Sequence, residues 1–136
     1  MRRLKLNLIE KSLEKVLTQG WNDSALIASA KELNLSPPII YALFPKGALD
    51  LFCESFNVLQ ERMLIDIPPD TVLDRPESER IYMYLKLRLG YVLPYKHVWG
   101  GATHLYVADP LRVNNAILNT IDTVCRASGD QTTFVT

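Results

Sequence analysis

The chain has 136 residues with 15 basic and 15 acidic side chains, so its formal net charge is zero. That length predicts one domain with a sizeable core, and the charge balance disfavours a strongly basic nucleic-acid-binding protein. Two cysteines and the lack of an apolar run of about 18 residues disfavour a disulfide scaffold and a transmembrane helix, so we expect reduced thiols in an intracellular compartment.

Helical periodicity dominates the first half of the chain. Apolar residues recur at spacings of three and four between residues 4 and 19 and, more clearly, between 48 and 64. Both segments are predicted helices with one apolar face. Gly20 is expected to end the first helix in the left-handed conformation that glycine tolerates best, and Trp21 directly after it is expected to anchor the core.

Two shorter helices are predicted between these segments. The first is rich in alanine and begins with Asp23 or Ser24 as its N-cap. The second is expected to have Ser36 as its cap and Pro37 in the first helical position, where the missing amide hydrogen costs nothing. A compact group of helices with a short turn is typical of a helix-turn-helix unit, which we assign to residues 1–64.

The second half begins with a proline-rich segment, residues 65–78, which predicts a loop and a candidate boundary. A helix over about 79–93 carries apolar or aromatic side chains on most of its faces, which is typical of a central core helix or of one that lines a ligand pocket. Periodicity does not separate these two interpretations. A last helix is expected over 111–128, with Gly129 as its C-cap. No segment is predicted as a strand, so the predicted fold class is all-α.

Signals of catalysis are weak in this sequence. It has no phosphate-binding loop and no dinucleotide-binding, zinc-protease or serine-hydrolase motif. His97 and His104 are separated by Gly100 and Gly101 and have no neighbouring cysteine or carboxylate, so we interpret both as structural or surface histidines. We therefore predict that the protein is not an enzyme and needs no metal ion or other cofactor.

The segment IASAKELNLSPPIIYALFPKGALDLF resembles the N-terminal part of TetR-type transcriptional regulators. The matching positions are Ile27, Ala28, Leu35, Ser36, Tyr41, Phe44 and Leu49. Residues 1–66, however, contain eight basic and eight acidic side chains. The predicted recognition helix has Pro37 and Pro38 at its start and no Arg, Lys, Asn or Gln over 35–45 to contact a base edge. We therefore expect no nucleic-acid partner, and a DNA-binding TetR-type regulator is the alternative.

Three further motifs narrow the resemblance. Gly20-Trp21 follows the first helix, RLGYVLPYKHVW occupies residues 88–99, and ASGDQTT occupies residues 127–133. In this order they resemble the Coq-nine family of ubiquinone-biosynthesis accessory proteins, and the resemblance spans nearly the whole chain. It implies a TetR-like helical fold that has lost DNA binding.

The resemblance also implies a function, that of a lipid-binding accessory protein of ubiquinone (coenzyme Q) biosynthesis. Such a protein presents a polyprenylated intermediate to the di-iron hydroxylase of the pathway. The implied ligand is an isoprenoid or a phospholipid, and the implied assembly is a homodimer. The implied location is mitochondrial, with peripheral contact on the matrix side of the inner membrane, although no transit peptide is visible in this chain. An isolated helical interaction module without a ligand is a further alternative.

Candidate site residues lie in the second half, 79–136, which we assign as a partial lipid-binding and dimerisation part. The lipid-binding candidates are Leu89, Val92, Leu93, Trp99, Leu105, Ile117 and Ile121. The family resemblance adds three partner-binding candidates, Gly129, Asp130 and Gln131. In the family the Gly-Asp-Gln run continues into further helices that serve the hydroxylase patch and the membrane contact. We therefore expect this chain to be a C-terminally truncated member.

Overall fold

The structure is a computed structural model, and it describes residues 2–129. Helices account for 84% of it and the described residues contain no strand, so the predicted all-α class is confirmed. The α-helices are α1 (Arg2–Gln19), α2 (Asp23–Glu32), α3 (Pro37–Leu43), α4 (Ala48–Asp66), α5 (Glu77–Val92), α6 (Lys96–Trp99), α7 (Thr103–Ala108) and α8 (Pro110–Ala127). Short 3-10 turns occur at Pro69–Val72, Leu93–Tyr95 and Gly100–Ala102.

The chain folds into two compact units that do not follow its linear order. Unit 1 combines the residues up to Ser55 with Pro94–Pro110. Unit 2 combines Phe56–Leu93 with the residues from Leu111 onward. Helix α4 therefore contributes its first part to unit 1 and its remainder to unit 2.

The sequence-based division into 1–64, 65–78 and 79–136 is linear, because periodicity groups only residues that are neighbours along the chain. The loop predicted at 65–78 is shorter in the structure, since α4 continues to Asp66 and α5 begins at Glu77. The functional roles assigned to the three parts remain predictions.

Unit 1 is a helical bundle around an apolar core. Helix α1 packs along α2 and contacts α6, and α2 contacts α3. Its fully buried apolar side chains include Leu8, Val16, Leu26, Ile40, Phe44 and Leu51. Trp21 is 3% exposed, and its ring meets that of Phe52 edge-on at a centroid distance of 4.9 Å. The prediction that Trp21 anchors the core is confirmed.

The N-cap predicted for α2 is wrong by one or two positions. Asn22 is the cap, with an extended backbone and a side chain that accepts the amide hydrogen of Ser24 at 3.1 Å. Asp23 is the first helical residue, and its carboxylate instead accepts the amide hydrogen of Ala48 at 2.8 Å. Asp23 caps α4 instead of α2, because the first amides of α4 also need an acceptor. Gly20 has φ of +80°, as predicted for the C-cap of α1.

The turn into α4 requires a glycine at position 47. Gly47 has φ of +60°, and a Cβ added there would clash with the carboxylate of Asp23. We expect Gly47→Ala to lower the free energy of unfolding by about 1–3 kcal/mol, because alanine would adopt a strained backbone and displace the Asp23 cap.

Urea denaturation followed by circular dichroism measures this loss. Gly100→Ala is the matched control, since Gly100 has φ of −59° and no atom lies within 4 Å of an added Cβ. Equal midpoints for the two variants would contradict the assigned role of Gly47.

Unit 2 has its own core, which draws on three helices and one turn. Met63 of α4, Val72 of the 3-10 turn, Tyr84 of α5 and Val124 of α8 are its buried members. Packed against them are the partly buried side chains of Leu64, Ile67, Ile81, Met83, Leu87, Tyr91 and Ala127. The predicted C-cap of α8 is confirmed, because Gly129 follows the helix with φ of +101°.

Candidate ligand-binding surface

Helix α5 carries an exposed apolar stripe in addition to its buried face. The stripe consists of Tyr82, Leu85 and Leu89 of α5 and of Leu93, the helical C-cap residue that follows. These residues recur at spacings of three and four and therefore lie on one side of the helix; we call this row the α5 stripe. Leu89 is 64% exposed and Leu93 is 67% exposed. Large apolar side chains scattered singly on a surface need no explanation, whereas a continuous row of them indicates a contact surface.

Helix α8 has one broad apolar side that is only partly covered. Val113 and Val124 on this side are buried. Ile117 and Ile121 follow from Val113 at successive spacings of four and therefore lie on the same side, yet both are exposed, as are Leu111 and Leu118. Like α5, therefore, α8 presents apolar surface beyond what the core of unit 2 covers.

The predicted lipid-binding residues are divided between the two units. Leu89, Leu93, Ile117 and Ile121 are exposed, and Val92 is partly buried; all five belong to unit 2. Trp99 and Leu105 belong to unit 1.

Neither of these two residues of unit 1 is a free side chain. Leu105 is buried, and Trp99 is partly exposed but packs against Trp21 and Phe52. Among the partner-binding candidates, Gly129 is described and exposed, whereas Asp130 and Gln131 lie outside the described residues.

A surface groove of about 570 Å³ runs along α5 within unit 2. Its lining residues are Ile67, Tyr82, Met83, Lys86, Leu87, Gly90 and Tyr91. A Cβ added to Gly90 would meet no atom within 4 Å, so the groove is open at that position. None of these residues was among the lipid-binding candidates, because helical periodicity gives no indication of where a neighbouring segment leaves a gap.

One side of this groove is fixed by a polar contact. The hydroxyl of Tyr91 donates a hydrogen bond to the Asp66 carboxylate, and the Arg62 guanidinium lies 5.9 Å from the Tyr91 ring centroid. Burial, and then the bond to Asp66, raise the pKa of Tyr91 well above its usual value. The phenol therefore stays protonated and holds its ring in place at neutral pH.

The start of α4 is a helix N-terminus, where free backbone amides can bind a phosphate. Here two carboxylates already occupy it. Asp23 accepts the amide hydrogen of Ala48 at 2.8 Å, and Asp50 accepts that of Lys46 at 2.7 Å. A phosphate brought to this helix end would meet negative charge instead of free amide donors.

The two histidines lie on unit 1 and are not grouped. His97 donates a hydrogen bond from Nε2 to the carbonyl oxygen of Leu17 at 2.6 Å, while His104 borders a groove near the start of α4. Within residues 2–129, no three His, Cys, Asp or Glu side chains are placed to hold a metal ion. Over the same residues, no helix is both long and apolar enough to cross a membrane.

Comparison with known proteins assigns neither a family nor a function to the chain. No protein-family model matches the chain, and no curated protein matches it closely enough to count as a relative. The α5 stripe, the groove beside it and the capped end of α4 are therefore the structural observations on which a functional proposal rests.

Proposed function

We propose that this protein is a lipid-binding accessory protein of ubiquinone biosynthesis, with a TetR-like fold similar to that of the Coq-nine family. The observation that carries the proposal is the α5 stripe. Two of its leucines are about two-thirds exposed, and both lie in the RLGYVLPYKHVW motif on which the resemblance depends. Covering such side chains with an isoprenoid chain would remove apolar area from water at a gain of about 25 cal/mol per Å².

The proposed ligand is the polyprenylated intermediate, which the protein presents to the di-iron hydroxylase. Contact with the matrix side of the mitochondrial inner membrane and formation of a homodimer belong to the same proposal. The exposed apolar residues of α8 support it, because a protein that binds a lipid, a membrane and a second copy needs more than one apolar surface.

The alternative function, a DNA-binding regulator, is disfavoured by the start of α4 and by α3. Asp23 and Asp50 already accept the amide hydrogens that would contact a phosphate. The recognition-helix position, α3, is only seven residues long and begins with two prolines. Neither feature favours a phosphate contact or base readout.

Lipid binding is tested by titrating the purified chain with an isoprenoid alcohol that carries a fluorescent group. We expect the double variant Leu89→Asn, Leu93→Asn to weaken binding about tenfold or more, because each leucine loses apolar contact with the ligand. The control is Ile65→Asn, Leu73→Asn, which changes two comparably exposed apolar residues of unit 2 outside the stripe. It is expected to bind like the unaltered chain.

Native mass spectrometry of the protein, followed by lipid extraction, gives an independent check. Isoprenoids or phospholipids that co-purify with the unaltered chain, and are lost in the Leu89, Leu93 variant, would support the proposal. Equal weakening in both double variants would indicate non-specific adsorption. A chain that neither retains lipid nor binds the probe would refute the proposed function.

A further inference from the structure

Arg88 is buried without an anionic partner. It lies on α5 and is 6% exposed, and its Nε has no hydrogen-bond acceptor. The other two buried charged side chains among residues 2–129 are engaged, since Asp50 accepts the amide hydrogen of Lys46 and Asp122 accepts a hydrogen bond from the guanidinium Nε of Arg126. Among residues 2–129, no carboxylate forms an ion pair with Arg88.

A buried guanidinium without a partner is costly to a fold. The Nε–H of Arg88 loses water and has no acceptor, whereas buried arginines are normally paired. The Phe56 ring lies 5.4 Å from the guanidinium carbon and attracts the charge, but it accepts no conventional hydrogen bond. Burial lowers the pKa of Arg88, an effect that the nearby Tyr91 opposes only in part.

The position of Arg88 on α5 places it next to the apolar surface described above. Leu85 and Val92 are three residues before it and four after it, so their side chains are its neighbours along the helix. Leu85 belongs to the α5 stripe, and Val92 is partly buried. The Nε–H of Arg88, which has no acceptor, therefore lies beside the solvent-exposed α5 stripe.

We propose that Arg88 anchors the anionic head group of an amphiphile whose apolar chain lies on the α5 stripe. The head group is a carboxylate or a phosphate ester, because the planar fork of a guanidinium pairs with either through two parallel hydrogen bonds. This inference rests on the proposed lipid-binding function and concerns an anionic ligand such as the implied phospholipid, because an isoprenoid chain alone carries no anionic head group. Arg88 fixes the position of the head, and the stripe takes up the chain.

The test compares three ligands of equal chain length on the whole chain: dodecyl phosphate, dodecanoate and dodecanol. Calorimetric titration is expected to show that at least one of the two anions binds about tenfold or more tightly than the alcohol. The better of the two identifies the head group. Arg88→Met, which keeps much of the side-chain volume, is expected to bring the ratio of the affinity for the anion to the affinity for the alcohol close to one. Arg75→Met is the control, because Arg75 is exposed and pairs with Glu79 at the surface.

A second measurement does not depend on a variant that might unfold. The Nε–H resonances of the arginine side chains can be followed by ¹H–¹⁵N NMR spectroscopy of the unaltered chain. We expect the preferred anion to shift the Nε–H resonance of Arg88 and leave that of Arg75 unchanged, while dodecanol shifts neither.

The outcomes separate this inference from the proposed function. Equal affinity for the anions and the alcohol would overturn the role of Arg88 and leave lipid binding intact. Inorganic phosphate that binds as tightly as dodecyl phosphate would overturn the amphiphile, since the chain would then contribute nothing. If none of the three ligands binds but the isoprenoid probe does, the role of Arg88 is overturned and lipid binding stands; if the probe and co-purified lipid are absent as well, both proposals are refuted.

Discussion

Replacing Trp21 with alanine is expected to lower the free energy of unfolding by about 3–5 kcal/mol, the largest loss that we predict for a single change in unit 1. Trp21 is almost fully buried, and its ring centroid lies 4.9 Å from that of Phe52, 6.1 Å from that of Tyr95 and 6.4 Å from that of Trp99. Alanine would leave a cavity and remove three aromatic contacts at once. A loss of this size corresponds to a decrease in Tm of about 10–15 °C for a domain of this length.

Trp21→Phe separates the packing of this side chain from its polar atom. The indole Nε1 is buried and has no hydrogen-bond acceptor among the described residues. Phenylalanine keeps an aromatic ring and deletes that unsatisfied donor, so its cost is expected to be well below that of alanine.

Thermal unfolding followed by circular dichroism tests both variants, with Tyr106→Ala as the control because Tyr106 is an exposed aromatic residue of the same unit. The control is expected to change stability by less than about 1 kcal/mol. A Trp21→Ala protein that melts together with the control would show that the aromatic cluster does not stabilise unit 1.

Tyr84→Ala is expected to have a comparable effect in unit 2, a loss of about 3–5 kcal/mol. Tyr84 is fully buried and packs in the core with Met63, Val72 and Val124. Its hydroxyl donates a hydrogen bond to the carbonyl oxygen of Ile67 at 2.8 Å. Tyr84→Phe deletes only this bond and leaves the carbonyl without the donor, at an expected cost of about 1–3 kcal/mol.

The contribution of the Tyr84 hydroxyl is expected to depend on pH. Burial raises the pKa of Tyr84, an effect that Asp70 strengthens and Arg80 weakens. The unfolded chain releases the phenolic proton near pH 10, whereas the folded protein retains it to higher pH. The stabilisation is therefore fully present below about pH 10 and is lost as the pH rises towards the folded pKa.

Urea midpoints at several pH values between about 7 and 11 measure this dependence. The difference between the unaltered chain and Tyr84→Phe should be constant up to about pH 9 and shrink above pH 10. Taking the difference removes the contribution of Tyr91, whose pKa is also raised and which both proteins retain. A difference that grows with increasing pH would contradict the assignment.

The fold could be predicted from the sequence to the extent that local interactions decide it. The ends of α1 and α8 follow from Gly20 and Gly129, because a left-handed residue there satisfies the last carbonyl groups of a helix. The cap of α2 could not be predicted in the same way. Asp23 has ordinary capping chemistry, but its carboxylate serves Ala48, which lies 25 residues away along the chain.

The candidate surface, too, could be predicted from the sequence only in part. Positions 82, 85, 89 and 93 are related by helical spacing, and so are the inward positions 81, 84, 87 and 91, so the sequence identifies two apolar sides of α5 without indicating which is covered. Leu89 and Leu93 were predicted as ligand contacts and lie exposed, whereas Leu105, predicted on the same grounds, is buried in unit 1.

By itself, then, the sequence determined an all-helical chain, the approximate bounds of its main helices and the absence of base-reading side chains from the segment around α3. These properties depend on residues within a few positions of one another, where spacing and capping chemistry act directly. Only the tertiary structure decided that each unit combines segments from distant parts of the chain, that one side of α5 remains uncovered and that the Nε of Arg88 is buried without an acceptor. Each of these depends on which distant segment packs against a given face, and the physical reason is that burial is a property of the packed chain and not of the residue.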